Sequence, residues 1–357
     1  MSAQRAMRLL FSILPIASAL AFTTLILVAT GAPPFSAYGQ ILVGAFENPQ
    51  KWADVATAWV PLVLCSAGLL VTFAAGQWNI GVEGQIVLGA VFATWIARTV
   101  RIGDLDTPNA LLIALLLLAG MAGGALWGAL AGVLKTYGQV HEIFAGMGLN
   151  FVAAGLTNFL IFDPWKPPDG ATMSGTDPFV LAATLPRLGS LRVTPLSVVL
   201  AAAAILVVLV ALRGTKWGLK LRAIGKNPRA AYLMGVPAHR NVLLSFAVCG
   251  ALAGLAGAIQ ASGVYRRLIP NISSGYGNLA LLVVLLSGFR GQWVPLVALF
   301  FSVIGVGSPR LELRLGLDSS LGGVLETAMV LFVLLFQAYR DGLSARQGGA
   351  RGHRYDH

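Results

Sequence analysis

Between Gly76 and Gln85 the chain reads Gly-Gln-Trp-Asn-Ile-Gly-Val-Glu-Gly-Gln, a carboxylate, an Asn and two Gln set among three glycines. Apolar sequence flanks the stretch, from Val55 to Ala75 and from Ile86 to Ala97. Glycines beside polar residues at a span boundary suggest a broken or re-entrant helix, and Asn79, Glu83 and Gln85 are candidates to line a pathway there. Asn150 and Asn158, in a later apolar run, join them. A carboxylate at membrane depth is costly unless paired or wet. Three roles for Glu83 therefore stand open: capping a helix start or a broken backbone, lining the solute path, or carrying a proton. Glu142 reads as a helix N-terminal charge with a structural or gating duty, and Glu326, inside an apolar run, could pair with Asn150 or Asn158. No HExxH, CxxC or GxSxG pattern occurs and no nucleophile pairs with a base, so an enzyme is not expected. Cys65 and Cys249 both lie in apolar runs and read as small core side chains, with no metal or disulfide framework.

The elements that must position these groups follow from composition. Hydrophobic residues make up 57% of the 357 and charged residues 11%, against roughly half and a quarter in soluble domains. The expected fold class is all-α, a polytopic transmembrane helical bundle with a broken or re-entrant segment near 76–85. A net charge of +11 is then a matter of loop distribution rather than of nucleic-acid binding. One helical span takes roughly 20 apolar residues. About ten stretches qualify: 9–30, 54–75, 83–98, 109–134, 141–162, 194–212, 241–262, 276–289, 292–308 and 320–339. The expected organisation is one transmembrane domain over 1–357, with spans from about 9 to 340, a cytoplasmic loop at 213–240 and a basic cytoplasmic tail at 341–357. Seven of the 25 Lys and Arg fall between Arg213 and Arg240, and the bias places both termini in the cytoplasm. The first apolar run is too long for a secretory signal core and reads as a retained helix.

Gly120, Gly124, Gly128 and Gly132 recur at four-residue spacing, and Gly250, Ala253, Gly254 and Gly257 repeat the device. Small residues one turn apart let helix backbones approach closely in lipid, so both stretches are expected inside the bundle. The Pro- and Gly-rich segment from Asp163 to Arg192 is either a connector or a contact for an external partner.

The 213–240 segment carries the sharpest local signal. Asn227 followed by Pro228 is an N-cap with proline at the first helical position. Arg229-Ala230-Ala231-Tyr232-Leu233-Met234 continues as helix, Gly235 fits a left-handed C-terminal cap and Pro237 forbids continuation. So short a helix needs something to pack on. A soluble partner explains the paired caps, whereas a basic loop lying on anionic lipid explains only the charges. Gly225-Lys226 is not a phosphate loop, because Lys220 stands where Gly is required and Asn227 where Ser or Thr would hold magnesium.

Three segments resemble one family: Asn79-Ile-Gly-Val-Glu-Gly-Gln85, Leu221-Arg-Ala-Ile-Gly-Lys-Asn-Pro-Arg-Ala-Ala231 and Glu142 to Asn150. The chain, over roughly 10–340, is similar to the permease subunits of ATP-binding-cassette importers for nucleosides and simple sugars, in the branched-chain amino acid and ribose permease superfamily. His141 stands where Asn is expected, and Gly148 replaces a bulkier residue. The resemblance implies a bacterial cytoplasmic-membrane complex with a second permease chain, identical or different. It also implies a cassette ATPase that binds the ATP and Mg, and an external solute-binding protein of the basic membrane lipoprotein type. No cofactor is expected in this chain. The capped insert maps onto a coupling helix, with Arg222, Gly225, Asn227, Pro228, Arg229, Ala230, Ala231, Met234 and Gly235 facing or shaping the ATPase contact. An ion-coupled secondary transporter, with Glu83, Glu142 and Glu326 as carriers, is the alternative, and it has no need of that insert.

Overall fold

The structure, a computed structural model, describes residues 20–29, 31, 33–103, 109–167, 175–318 and 320–352, with isolated positions at 14, 17 and 18. Every regular element among them is helical: α1 (Leu20–Ala29), α2 (Pro34–Phe46), α3 (Pro49–Ala74), α4 (Val82–Gly103), α5 (Asn109–Thr136), α6 (Glu142–Phe162), α7 (Pro195–Gly214), α8 (Lys216–Lys226), α9 (Pro228–Leu233), α10 (Ala238–Ile259), α11 (Tyr276–Leu286), α12 (Val294–Gly307), α13 (Pro309–Leu315) and α14 (Leu321–Gly352), with short 3₁₀ and π segments between. The start of the first predicted span and the end of the basic tail lie outside the described residues.

Among the described residues six helices are long and apolar enough to cross a membrane, and a seventh is added if α1 and α2, bent by 110°, count as one span. The polytopic helical fold therefore stands. The other predicted spans correspond to α4, to α11 and to the apolar part of α14, Leu321–Phe336. With 11 residues α11 rises about 16 Å, half of a hydrocarbon core about 30 Å thick. It cannot span alone, which corrects the expectation for 276–289. Helices α2, α8 and α13 lie outside the expected spans; unlike the shorter α9, none of them is marked in the sequence by both an Asn-Pro start and a Gly stop.

The chain divides into two compact units, one made of the N-terminal residues through Glu47 with those from Val303 on, the other Asn48–Ser302. In the first, Leu27, Ala37, Ile41, Ile304, Leu311, Leu325 and Met329 form the core. Arg310 is held by Gln40 Oε1 at 2.7 Å and by the Glu47 carboxylate, tying α13 to α2.

The second unit is organised by the two small-residue stripes, which face each other. A Cβ built on Gly124 would meet Gly254 Cα at 2.6 Å, and one on Gly128 would meet Gly250 Cα at 3.1 Å. Helix α4 joins at the same level, where Gly89 approaches the backbone of Gly254. Backbone-to-backbone packing of this kind replaces a weak hydrophobic drive in lipid by dispersion contacts. At one end of the unit the 213–240 insert gathers the helix ends: Gly76 abuts Gly225, Tyr137 stacks on His239 with centroids 6.1 Å apart, and Arg213 donates to Gln292 at 3.0 Å. At the other end the described part of the 163–192 segment is strapped onto the end of α10. Thr176 N–H donates to Leu268 O at 2.9 Å, Phe179 N–H to Arg266 O at 2.8 Å, and Arg187 Nη2 to the Gly263 and Val264 carbonyls at 3.0 and 2.9 Å. Those carbonyls belong to the last two residues of a π-helical turn at Gln260–Val264, where the helix stops, so the guanidinium satisfies acceptors that a helix end leaves unpaired.

Candidate translocation site and coupling surface

The backbone breaks where the sequence places the break. α3 ends at Ala74, Gly76 turns left-handed at φ +72, and α4 does not begin until Val82. Inside this gap the amides of Asn79 and Gln85 are closed on one another, with Asn79 Nδ2 donating to Gln85 Oε1 and Gln85 Nε2 to Asn79 Oδ1, each at 3.1 Å. Asn79 Nδ2 also lies 3.1 Å from Cys249 Sγ, and the two amides are 1% and 0% exposed. From α6, Asn150 reaches across the gap: its Nδ2 donates to Ile80 O at 3.0 Å and its Oδ1 accepts from Gly84 N–H at 2.8 Å. Two backbone groups stranded by the break are thereby satisfied at membrane depth, where each would otherwise cost free energy. The glycines make this approach physically available. A Cβ on Gly146 would lie 2.6 Å from Gly81 N, and one on Gly84 would lie 2.9 Å from the Trp127 indole nitrogen.

Glu83 stands on the first turn of α4 and faces the start of α11. Its Oε1 accepts from Asn278 N–H at 3.2 Å, with the Ser273 hydroxyl and Gly277 N–H beside the carboxylate. A carboxylate at a helix N-terminus is favoured by the aligned peptide dipoles and unpaired amides there. Gly277 has no room for a side chain, since a Cβ would sit 2.8 Å from Glu83 N. Glu142 opens α6 and pairs with Lys135 Nζ at 2.6 Å across the α5–α6 turn. Asn158 is exposed on α6, and Glu326 is buried in the first unit.

On the insert, Thr215 caps α8, accepting from Gly218 N–H at 3.1 Å. Asn227 Oδ1 accepts from Ala230 N–H at 3.0 Å and so opens α9. The far end closes with a Schellman pair, Gly235 N–H to Tyr232 O at 2.9 Å and Val236 N–H to Ala231 O at 3.0 Å, with Gly235 at φ +78. Ala231 is buried with Ile224, Val242 and Phe246. Its neighbours face outward, with Tyr232 68%, Leu233 80% and Met234 85% exposed. Arg222, Arg229 and Ala230 are exposed as well. Gly225 has a packing duty, because a Cβ there would lie 2.5 Å from Ala74 O.

Residues 51–335 match a family described as the permease component of branched-chain amino acid transport systems. The chain belongs to that family. The permease is 31% identical over 350 residues to the glucose ABC transporter permease protein TsgB13 of Haloferax volcanii, covering 94% of this chain and 90% of that one. It is 26% identical to the guanosine ABC transporter permease protein NupP of Bacillus subtilis, covering 94% and 96%. With the nucleoside ABC transporter permease protein NupB of Lactococcus lactis the figures are 25%, 87% and 86%. A solved structure titled PsaBC from Streptococcus pneumoniae in complex with Fab aligns over 84% of the permease and 95% of its own chain, at 12% identity and a TM-score of 0.43.

Within the permease, Asn79, Gln85 and Asn150 come together around the break, and Glu83, on the first turn of α4, faces α11 instead. Asn158 stands two turns beyond Asn150 on α6, outside the cluster. Both polar ends of Asn150 are already engaged, which accounts for it without Glu326. A second polar and glycine-rich run, Asn271-Ile-Ser-Ser-Gly-Tyr-Gly-Asn278, supplies the partners of Glu83; it has the composition of the opening stretch and could have been singled out by the same signal. Replacing Asn150 by Leu strands the Ile80 carbonyl and the Gly84 N–H and is expected to cost about 2 kcal/mol. The midpoint of thermal unfolding in detergent should fall for Asn150→Leu and stay at the wild-type value for Asn158→Leu; equal midpoints would dismiss the clamp.

Proposed function

We propose that the permease is the membrane-spanning subunit of an ATP-binding-cassette importer that moves nucleosides or simple sugars by alternating access, driven by a separate ATPase. The observation that supports this reading is α9: six residues, capped at both ends, anchored through Ala231 and presenting Tyr232, Leu233 and Met234 to the outside. Exposed large apolar side chains on a rigid, terminated helix suit a docking partner. A stand-alone ion-driven carrier has no use for them. The partners are a cassette ATPase, a second permease chain and a solute-binding protein of the basic membrane lipoprotein type, in a cytoplasmic membrane with both termini inside. In this reading Asn79, Gln85 and Asn150 keep the broken entry of α4 in shape, Asn158 faces the route from α6, and Lys135 with Glu142 fixes the turn that aims α6.

The nucleoside choice rests on the Asn-Ile-Gly-Val-Glu-Gly wording of the break and on the names of the guanosine and nucleoside relatives. The glucose relative keeps simple sugars in the same class. Vesicles holding the permease, its ATPase and its binding protein should take up labelled guanosine, adenosine or uridine in preference to ribose; preferential ribose uptake would reverse the choice. Solute carried uphill by the permease alone would end the reading.

A further inference from the structure

At the insert end of the second unit a cleft of about 260 Å³ lies between α3, α7, α8 and the turn that joins α11 to α12. Its walls are apolar. Phe73 comes from the last turn of α3, Leu209 and Leu212 from the last two turns of α7, and Phe289 from the α11–α12 turn. Phe289 is held at φ +59, a backbone conformation that is costly for a bulky side chain and that the surrounding fold must impose. Its ring packs edge-on against Phe73, with centroids 5.0 Å apart. Trp78 continues the aromatic group, its ring 5.1 Å from that of Phe73, and is 39% exposed. Half-exposed Trp of this kind gathers at the level of lipid headgroups.

Two arginines line the same cleft, Arg213 at the end of α7 and Arg222 on α8, and both are exposed. Arg213 Nη2 donates to Gln292 Oε1 at 3.0 Å, a neutral acceptor. No carboxylate stands among the lining residues, and among the described residues neither arginine is in an ion pair. Two guanidiniums without an anion, set beside an apolar hollow, match a molecule that is anionic at one end and hydrocarbon at the other. The hollow is smaller than the roughly 300–1,000 Å³ of a pocket that encloses an organic ligand, so most of such a molecule must lie outside it. The adjoining surface suits that part. Leu206, Val210 and Arg213 follow one another at four and three residues on one face of α7, and the two aliphatic side chains are 62% and 59% exposed, as on a helix that faces lipid.

We propose that this cleft binds one anionic phospholipid, its phosphate held by Arg213 and Arg222, the start of an acyl chain in the hollow and the rest along Leu206 and Val210. Guanidinium forks match phosphate oxygens in pairs, and basic pockets between membrane helices at a headgroup surface take anionic lipids. The lipid joins α7 to α8, and so fastens the insert to the bundle beside the end of α3. Arg222 serves the lipid in this arrangement, while the contact with the ATPase stays with the apolar face of α9. The proposal stands on the cleft and its charges and does not require the importer reading.

Native mass spectrometry of the full chain in detergent, alone and with its ATPase, counts the lipid retained from an equal mixture of phosphatidylglycerol and phosphatidylcholine. The wild-type chain is expected to keep one phosphatidylglycerol in both forms. Arg213→Gln combined with Arg222→Gln lowers the affinity for it about tenfold or more. Leu209→Trp fills the hollow and has the same effect with both charges kept. Lys216→Gln combined with Lys220→Gln removes equal charge from exposed positions of α8 that do not line the cleft, and it leaves retention at the wild-type level. Should Leu209→Trp fail to fold, the two exposed arginines decide. Equal losses in the two charge pairs, equal retention of the two lipids, or release of the lipid when the ATPase binds would each overturn the proposal. Displacement of the lipid by inorganic phosphate would overturn it as well, making the cleft a site for the free anion.

Discussion

With α9 as the proposed docking site for the ATPase, replacing Leu233 and Met234 together by Glu is expected to abolish ATP-driven uptake while the permease remains folded. Both side chains are at least 80% exposed, so the isolated subunit loses no packing. Each side chain, once covered by a partner, is worth roughly 1.5–3 kcal/mol of buried apolar surface, and two carboxylates at a docked face add a desolvation penalty. The affinity for the ATPase is therefore expected to fall more than a hundredfold, a loss of ~3 kcal/mol or more. Pull-down of the ATPase by the tagged permease, with uptake measured on the same vesicles, checks the outcome. Wild-type co-purification and uptake would show that the ATPase grips some other surface. Asn227→Ala, which removes the cap but none of the exposed face, should weaken docking only by the ~1 kcal/mol that an N-cap contributes.

Replacing Gly124 by Leu is expected to prevent the permease from accumulating as a folded protein. A single Cβ at this position already reaches within 2.6 Å of Gly254 Cα and 2.7 Å of Gly254 N. The obstacle is backbone, which has no rotamer to move aside, so α5 and α10 must separate and the contacts that replace a hydrophobic drive between them are lost. A destabilisation above about 3 kcal/mol is expected. Gly155→Leu on α6 adds the same volume where no atom lies within 4 Å, and it should yield monodisperse protein. Recovery of both variants in a size-exclusion assay after mild detergent extraction makes the comparison, and equal recovery would refute the crossing as the organising contact.

The features legible in the sequence are those encoded by neighbours along the chain. The caps of α9 were readable because Asn227, Pro228, Gly235 and Pro237 act over a single turn, and the glycine stripes because spacing alone puts them on one face. The break at 76–85 was readable from polar and glycine residues between apolar runs. The occupation of its side chains was not. Asn79 and Gln85 look like residues facing a solute until the fold closes them on one another, a pairing that depends on the path of an irregular loop. Asn150 acts on residues some 70 positions away, and no local pattern announces that. The π turn at Gln260 left no compositional mark either, since Gln-Ala-Ser-Gly-Val is compatible with an ordinary helix end.

The meeting of Gly76 with Gly225 has a mechanical consequence. The two backbones are separated by so little that a Cβ on Gly76 would lie 3.0 Å from Gly225 Cα, and no side chain is present to act as a cushion. After Gln77, whose N–H still donates to Thr72 O at 3.0 Å, the chain is not helical again until Val82, one residue before Glu83. A displacement of the insert at Gly225 would therefore meet backbone at Gly76 directly, and would reach the start of α4 through residues that Asn150 and the Asn79–Gln85 pair hold in place.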